Sequence, residues 1–106
     1  MKKIKRHNKL VRDNILDILK DKGINCKFHV ANNNEYENEL YLKLQEELEE
    51  FILKPCTEEL VDMLEVLDAI RKFHNINLDE LKIVKKEKKI ERGGFNDRII
   101  LETTKE

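Results

Sequence analysis

The chain has no tryptophan, a single proline and only three glycines among 106 residues. So few helix breakers fit a helical protein rich in Glu, Lys and Leu. No apolar run approaches the roughly 20 residues needed to span a bilayer, which excludes a membrane helix. The basic start MKKIKRHNK is not followed by an apolar core segment, so it does not read as a signal peptide. Only two cysteines are present, Cys26 and Cys56, and neither has metal-ligand spacing. Both are expected as free thiols in a reducing cytoplasm. Net charge is also nearly absent, at −1. Global charge therefore gives no reason to expect a nucleic-acid polymer or a membrane surface as partner. No P-loop, Ser/His/Asp or Cys/His arrangement, or aromatic-rich basic patch occurs. His7, His29 and His74 lack partners at ligand spacing and are expected at the surface.

What is abundant is charge, at 41% of residues, beside 40% hydrophobic ones. It is unevenly placed: the start is basic, the middle acidic, and Lys82–Arg98 basic again. That layout could bring an anionic ligand to an acidic, metal-loaded centre. The length suits one domain spanning 1–106. A core of this size is near the low end, so a second copy would help bury it.

The pattern predicts an all-α bundle of four main helices. The first runs from about Lys9 to Lys22 and stops at Gly23. INCKFHV then alternates with a strand period. Asn34 is a candidate cap for a long helix from about Glu35 to Leu53. Lys54-Pro55-Cys56 breaks that helix, because proline disfavours helical geometry in the residue before it. Cys56 reads as a small apolar filler in the turn. Thr57 is the expected cap of a third helix reaching about Phe73, with Glu58 and Glu59 in its first turn. Asn77 and Glu80 stand in capping-box positions before a fourth helix, which ends at Gly93-Gly94. Whether DRIILE pairs with INCKFHV as a minor two-stranded addition is left open, since isolated strand pairs are marginal.

The stretch LQEELEEFILKPCTEELVDMLEVLD puts acids where a core should be. On a helical wheel Glu47 falls inside the arc of Tyr36, Leu40, Leu44, Leu48 and Phe51. Glu50 lies at its edge and Glu49 points away. The third helix is apolar nearly all round, which marks a buried helix. Glu59 and Asp62 lie in or beside that surface. A tight turn makes the two helices antiparallel, so residues equally far from the turn face each other. Glu50 then faces Glu59, and Glu47 faces Asp62. Four ionised carboxylates in one partly apolar place need compensation by protons or cations. All-oxygen ligation suits Mg²⁺, with Mn²⁺ as a substitute, rather than zinc. The matching chemistry is metal-assisted attack of water on a phosphoanhydride. EELEE alone would read as a solvated helix face; the second cluster at matching offsets turns the reading toward a metal site.

EELEE (Glu46–Glu50) followed by EELVD (Glu58–Asp62) resembles the ExxE…ExxD signature of the MazG-like all-α nucleoside triphosphate pyrophosphohydrolase superfamily. NKLVRDNI (Asn8–Ile15) and KKIERGGF (Lys88–Phe95) look like the opening and closing motifs of a small house-cleaning subgroup. The resemblance covers Asn8 to about Leu101. It implies that Glu47, Glu50, Glu59 and Asp62 hold Mg²⁺. It further implies cleavage of a nucleotide, expected to be non-canonical, between the α and β phosphates, giving monophosphate and pyrophosphate. One departure concerns specificity: only seven residues separate Glu50 from Glu58, fewer than in many members.

Other side chains fill out the expected site. Glu46, or Glu50, would align the attacking water, and Glu46 and Glu58 could reach a second metal. Lys9, Arg12, Lys88, Lys89 and Arg92 are candidates to hold phosphate charge, although Arg12 could equally pair with an acid. Asp68 is expected in a salt bridge, with Arg12 as one partner. A homodimer or larger homo-oligomer is expected. Two alternatives stand beside this reading: phosphoribosyl-ATP as substrate for the same chemistry, or a non-catalytic helical module that binds nucleotide or a protein partner.

Overall fold

The computed structural model describes residues 3–106. Met1 and Lys2, part of the basic start expected to be solvated, lie outside the described residues. The regular structure is entirely helical: α1 (Ile15–Asp21), α2 (Asn33–Leu53), α3 (Thr57–Phe73) and α4 (Leu78–Arg92). The chain divides into two compact units, Met1–His74 and Asn75–Glu106.

In the first unit α1 is shorter than the sequence suggests. It begins at Ile15, not near Lys9. Asn8 has a left-handed backbone (φ +47°), and the Ile15 N–H closes a tight turn onto the Arg12 carbonyl at 3.1 Å. The preceding residues are instead drawn sideways by ionic contacts to α2 and α3. The end of α1 matches its signal. Gly23 takes φ +74°, its N–H donates to the Lys20 carbonyl, and the Ile24 N–H donates to the Leu19 carbonyl. This pair of bonds is a Schellman closure, which requires a residue tolerant of positive φ.

Helix α2 starts two residues before the expected Glu35, and its cap is Asn32, not Asn34. The Asn32 side-chain oxygen accepts from the Glu35 N–H at 2.9 Å. An asparagine three residues ahead reaches that orphan donor, whereas Asn34 already lies inside the first turn. Lys54 leaves the helix at φ −142°, as its place before Pro55 demands. Helix α3 then starts at Thr57, with Cys56 in the cap position and no side-chain cap bond. Thr57 is therefore the first helical residue, not the cap.

Helices α2 and α3 form an antiparallel hairpin. At its open end Tyr36 meets Phe73 edge-on, with ring centroids 5.6 Å apart. Near the turn Glu50 meets Glu59. Leu40 and Val66 are the buried apolar residues among those described. Half-buried Leu10, Ile15, Leu16, Leu19, Tyr36, Leu44, Phe51, Met63, Ile70 and Phe73 extend this small core. Truncating Leu40 to alanine should cost about 2–5 kcal/mol.

The third helix departs from expectation in one respect. It is apolar nearly all round, yet Leu60, Val61, Leu64 and Leu67 are about half exposed. In the first unit α3 packs chiefly against α2, and one partner covers one side of a helix.

In the second unit α4 is capped as the sequence indicates. The Asn77 side chain accepts from the Glu80 N–H at 3.0 Å, and Gly93 (φ +83°) closes the end. None of its residues is buried.

No strand forms among the described residues. Phe28 and Val30 are exposed in one candidate segment, and Ile99, Ile100 and Leu101 in the other. Alternation specifies a strand only when one face has an apolar surface to meet.

Candidate functional site

The site grows from the wheel position of Glu47. Its neighbours on the same face of α2 point into the hairpin, so Glu47 points there too and retains 7% exposure. Glu50, one turn on, is exposed, and Glu59 enters from the first turn of α3, half-buried. One carboxylate oxygen from each of Glu47, Glu50 and Glu59 lies within 4.8 Å of the others. Glu47 Oε2 and Glu59 Oε2 are buried, and no hydrogen-bond partner reaches either among the described residues. Leaving a buried charged oxygen unpaired is costly, and native folds rarely do so without a purpose.

Cations surround the acids without filling that gap. Lys43 Nζ lies 3.5 Å from Glu47 Oε1 and 3.5 Å from Glu46 Oε2. Lys9 donates to Glu46 Oε1 at 2.7 Å, and Arg12 donates to Asp62 Oδ1 at 2.7 Å. Lys9 and Arg12 sit on the non-helical segment before α1, so two ionic contacts tie that segment to the hairpin. Both contacts are partly exposed, where such pairs contribute about 0.2–1 kcal/mol. A cavity of 170 Å³ lies beneath them, lined by Val11, Arg12, Ile15, Lys43, Glu47 and Asp62. It is smaller than the roughly 300–1,000 Å³ of pockets that enclose drug-sized ligands. It could take a small charged group, but not a whole nucleotide.

Electrostatics divides the acids. Burial pushes the Glu47 carboxyl above its usual range; Glu50 and Asp62 add to the effect and Lys43 opposes it. Glu46 goes the other way. The hydrogen bond from Lys9 holds it below the carboxylate range, against some burial, with Lys43 assisting. That same bond raises Lys9 above 10.5. Glu46 is thus held toward its anionic form, while burial disfavours the charged form of Glu47.

The structure brings together Glu46, Glu47, Glu50, Glu59, Asp62, Lys9 and Arg12. Asp62 stands apart from the three-carboxylate group and is engaged by Arg12. Asp68 does not pair with Arg12. It accepts from Arg71 at 2.9 Å and lies 3.2 Å from Lys72, one turn further along its own helix, and these bonds hold it below the usual range. Glu58 is exposed. Lys88, Lys89 and Arg92 are exposed on α4, in the second unit. There Lys88 lines an open groove with Ile76, Glu80, Leu81, Val84 and Lys85.

Four contacts were missed from sequence: Lys43 with Glu46 and with Glu47, Tyr41 with His74, and His29 with Glu35. Lys43 stands three and four residues before Glu46 and Glu47, a helical ion-pair spacing that would have found it. The Tyr41 hydroxyl meets His74 Nε2 at 2.8 Å, and His29 meets Glu35 at 2.9 Å, so these two histidines, though exposed, are not lone. The Tyr41–His74 pair spans the hairpin and has no local signal.

The three carboxylates could hold a hard divalent cation: the donors are all oxygen, they converge, and two of their oxygens lack partners among the described residues. Comparison of the chain with protein-family models, curated proteins and solved structures finds no match.

Proposed function

We propose that the protein is a nucleotide pyrophosphohydrolase dependent on Mg²⁺, with Mn²⁺ as a substitute. It would hydrolyse a nucleoside triphosphate between the α and β phosphates to monophosphate and pyrophosphate. The observation that carries this reading is the convergence of Glu47, Glu50 and Glu59, with one buried oxygen of Glu47 and one of Glu59 left without a partner among the described residues. Carboxylates in that state favour a cation, and the cavity beside them has an arginine and a lysine in its wall.

Glu47, Glu50 and Glu59 would hold the cation, with Asp62 adjacent. When bound, Mg²⁺ supplies positive charge to phosphate oxygens and lowers the pKa of water. The protein's own groups do the rest. Glu50, the most exposed of the three, can orient water at the mouth of the site. Glu46 is held as an anion by Lys9 and Lys43, which suits it to positioning those amines more than to accepting a proton. Lys9 and Arg12 supply cationic charge where a polyphosphate would lie. Base and sugar would extend outside the 170 Å³ cavity. The same reading has a second copy of this chain cover the apolar side of α3, because Leu60, Val61, Leu64 and Leu67 form one exposed stripe on a helix otherwise suited to burial.

The test is product identification. The purified protein is incubated with ordinary, deoxy and damaged nucleoside triphosphates in Mg²⁺, then in EDTA. Metal-dependent monophosphate plus pyrophosphate is expected. Diphosphate plus orthophosphate would overturn the cleavage position, and no turnover across the panel, with phosphoribosyl-ATP included, would overturn the hydrolase reading.

A further inference from the structure

We propose that Arg12 and Lys9 form an exchangeable ionic latch: in the free protein they occupy Asp62 and Glu46, and on ligand binding they transfer to the ligand's phosphates. The inference rests on the proposed metal and nucleotide reading and adds a change of partners that couples the two ligands.

Both latch contacts are short, at 2.7 Å, and join residues 50 and 37 positions apart. They fix a segment that has no helix of its own. The Arg12 side chain is 53% exposed and Asp62 38%, so the pair is screened and weak enough to exchange. Arg12 also lines the cavity with Glu47 and Asp62, so it already faces the place where a phosphate group would enter. The guanidinium fork suits a phosphate as well as a carboxylate.

Charge balance explains why exchange is needed. Five carboxylates (Glu46, Glu47, Glu50, Glu59 and Asp62) face three cations (Lys9 and Arg12 from the segment before α1, and Lys43 from α2). With all ionised the formal remainder is −2, which one divalent cation would balance. Asp62 lies outside the converging group, and its Oδ1 is engaged by Arg12. A phosphate that attracts Arg12 would free Asp62 to turn toward the cation. Metal and phosphate would then help each other bind, while Arg12 alone opposes the metal.

This predicts opposite signs for two affinities. Mn²⁺ binding is followed by electron paramagnetic resonance on the full chain. Binding of inorganic triphosphate in excess Mg²⁺ is followed by calorimetry. Arg12→Gln should tighten Mn²⁺ about three- to tenfold, by removing a competing cation. It should weaken inorganic triphosphate by about tenfold or more, by removing a charged fork. Arg12→Lys keeps the charge, so its Mn²⁺ affinity should stay within about twofold of wild type while triphosphate binding falls. A purely structural clip would lower both affinities together. Unchanged or weaker Mn²⁺ binding in an Arg12→Gln protein of wild-type helicity overturns the latch, and so does unchanged triphosphate binding. Should Arg12→Gln not fold, Arg12→Lys with undiminished triphosphate affinity overturns it. Failure of the wild-type chain to bind Mn²⁺ sinks the metal reading itself and the latch with it, which separates the two failures.

Discussion

Glu47 on α2 and Glu59 on α3 face each other across the hairpin, and each keeps one carboxylate oxygen buried without a partner among the described residues. A fold selected for stability alone would place apolar side chains there. The arrangement costs stability, and under the proposed function that cost is offset by a bound cation.

Glu47→Gln should therefore stabilise the metal-free protein while removing its activity. Relief of about 1 kcal/mol corresponds to a rise in Tm of about 4–8 °C. The sign follows from the raised carboxyl. A group whose folded pKa lies above its unfolded value contributes stability at low pH and loses it as pH rises through the folded value. The gain from Glu47→Gln should thus be largest at neutral pH and shrink toward acid. Thermal melts of both proteins across pH, in EDTA, check this.

Divalent cation should offset the same cost. At a concentration one hundred times Kd, Mg²⁺ or Mn²⁺ should add about 2.7 kcal/mol of stability. The increment should vanish in EDTA and be much reduced in Glu59→Gln. Melts with and without metal measure it. An equal increment in Glu59→Gln would remove that residue from the site.

The Lys9–Glu46 contact should contribute less than about 1 kcal/mol, since Lys9 is well exposed. Two linkage windows bound it. Glu46 is held low, so its contribution is present at neutral pH and is lost as pH falls through its depressed value. Lys9 is held high, so its contribution is complete below 10.5 and is lost as pH rises through its raised value. Lys9→Met should lower stability slightly at pH 7, and the difference should shrink in high salt.

Leu64→Glu should prevent self-association through α3 and leave the monomer folded, because Leu64 is 57% exposed within one chain. Sedimentation of wild type and variant decides this. A monomeric wild-type chain would contradict the second-copy expectation.

Helix content, the breaks at Gly23, Pro55 and Gly93, and the Asn77 cap were legible in the sequence because each rests on local chemistry. So was the inward position of Glu47, which needs only helical periodicity. The start of α1 was not legible. Residues 9–14 have helix-compatible composition, but Lys9 and Arg12 bond to acids 37 and 50 positions away, and no local window contains those partners. For the same reason the sequence offers Arg12 as one candidate partner for Asp68, whereas Asp62 is the acid it meets. The pairing of INCKFHV with DRIILE, left open by the sequence, does not form among the described residues, where Phe28 and Val30 are exposed. Of the expected acid quartet, three members converge as a helical register implies. Asp62 is outside that group and meets Arg12 instead, a contact that a wheel does not represent.

The central claim is that these acids hold a metal for nucleotide hydrolysis. Its most direct test measures Mn²⁺ binding and triphosphate turnover side by side in wild type and Glu47→Gln, with helicity confirmed for both. The account predicts that the wild-type chain binds Mn²⁺ and releases pyrophosphate, and that the folded variant loses both. A folded Glu47→Gln protein that retains full turnover would contradict it.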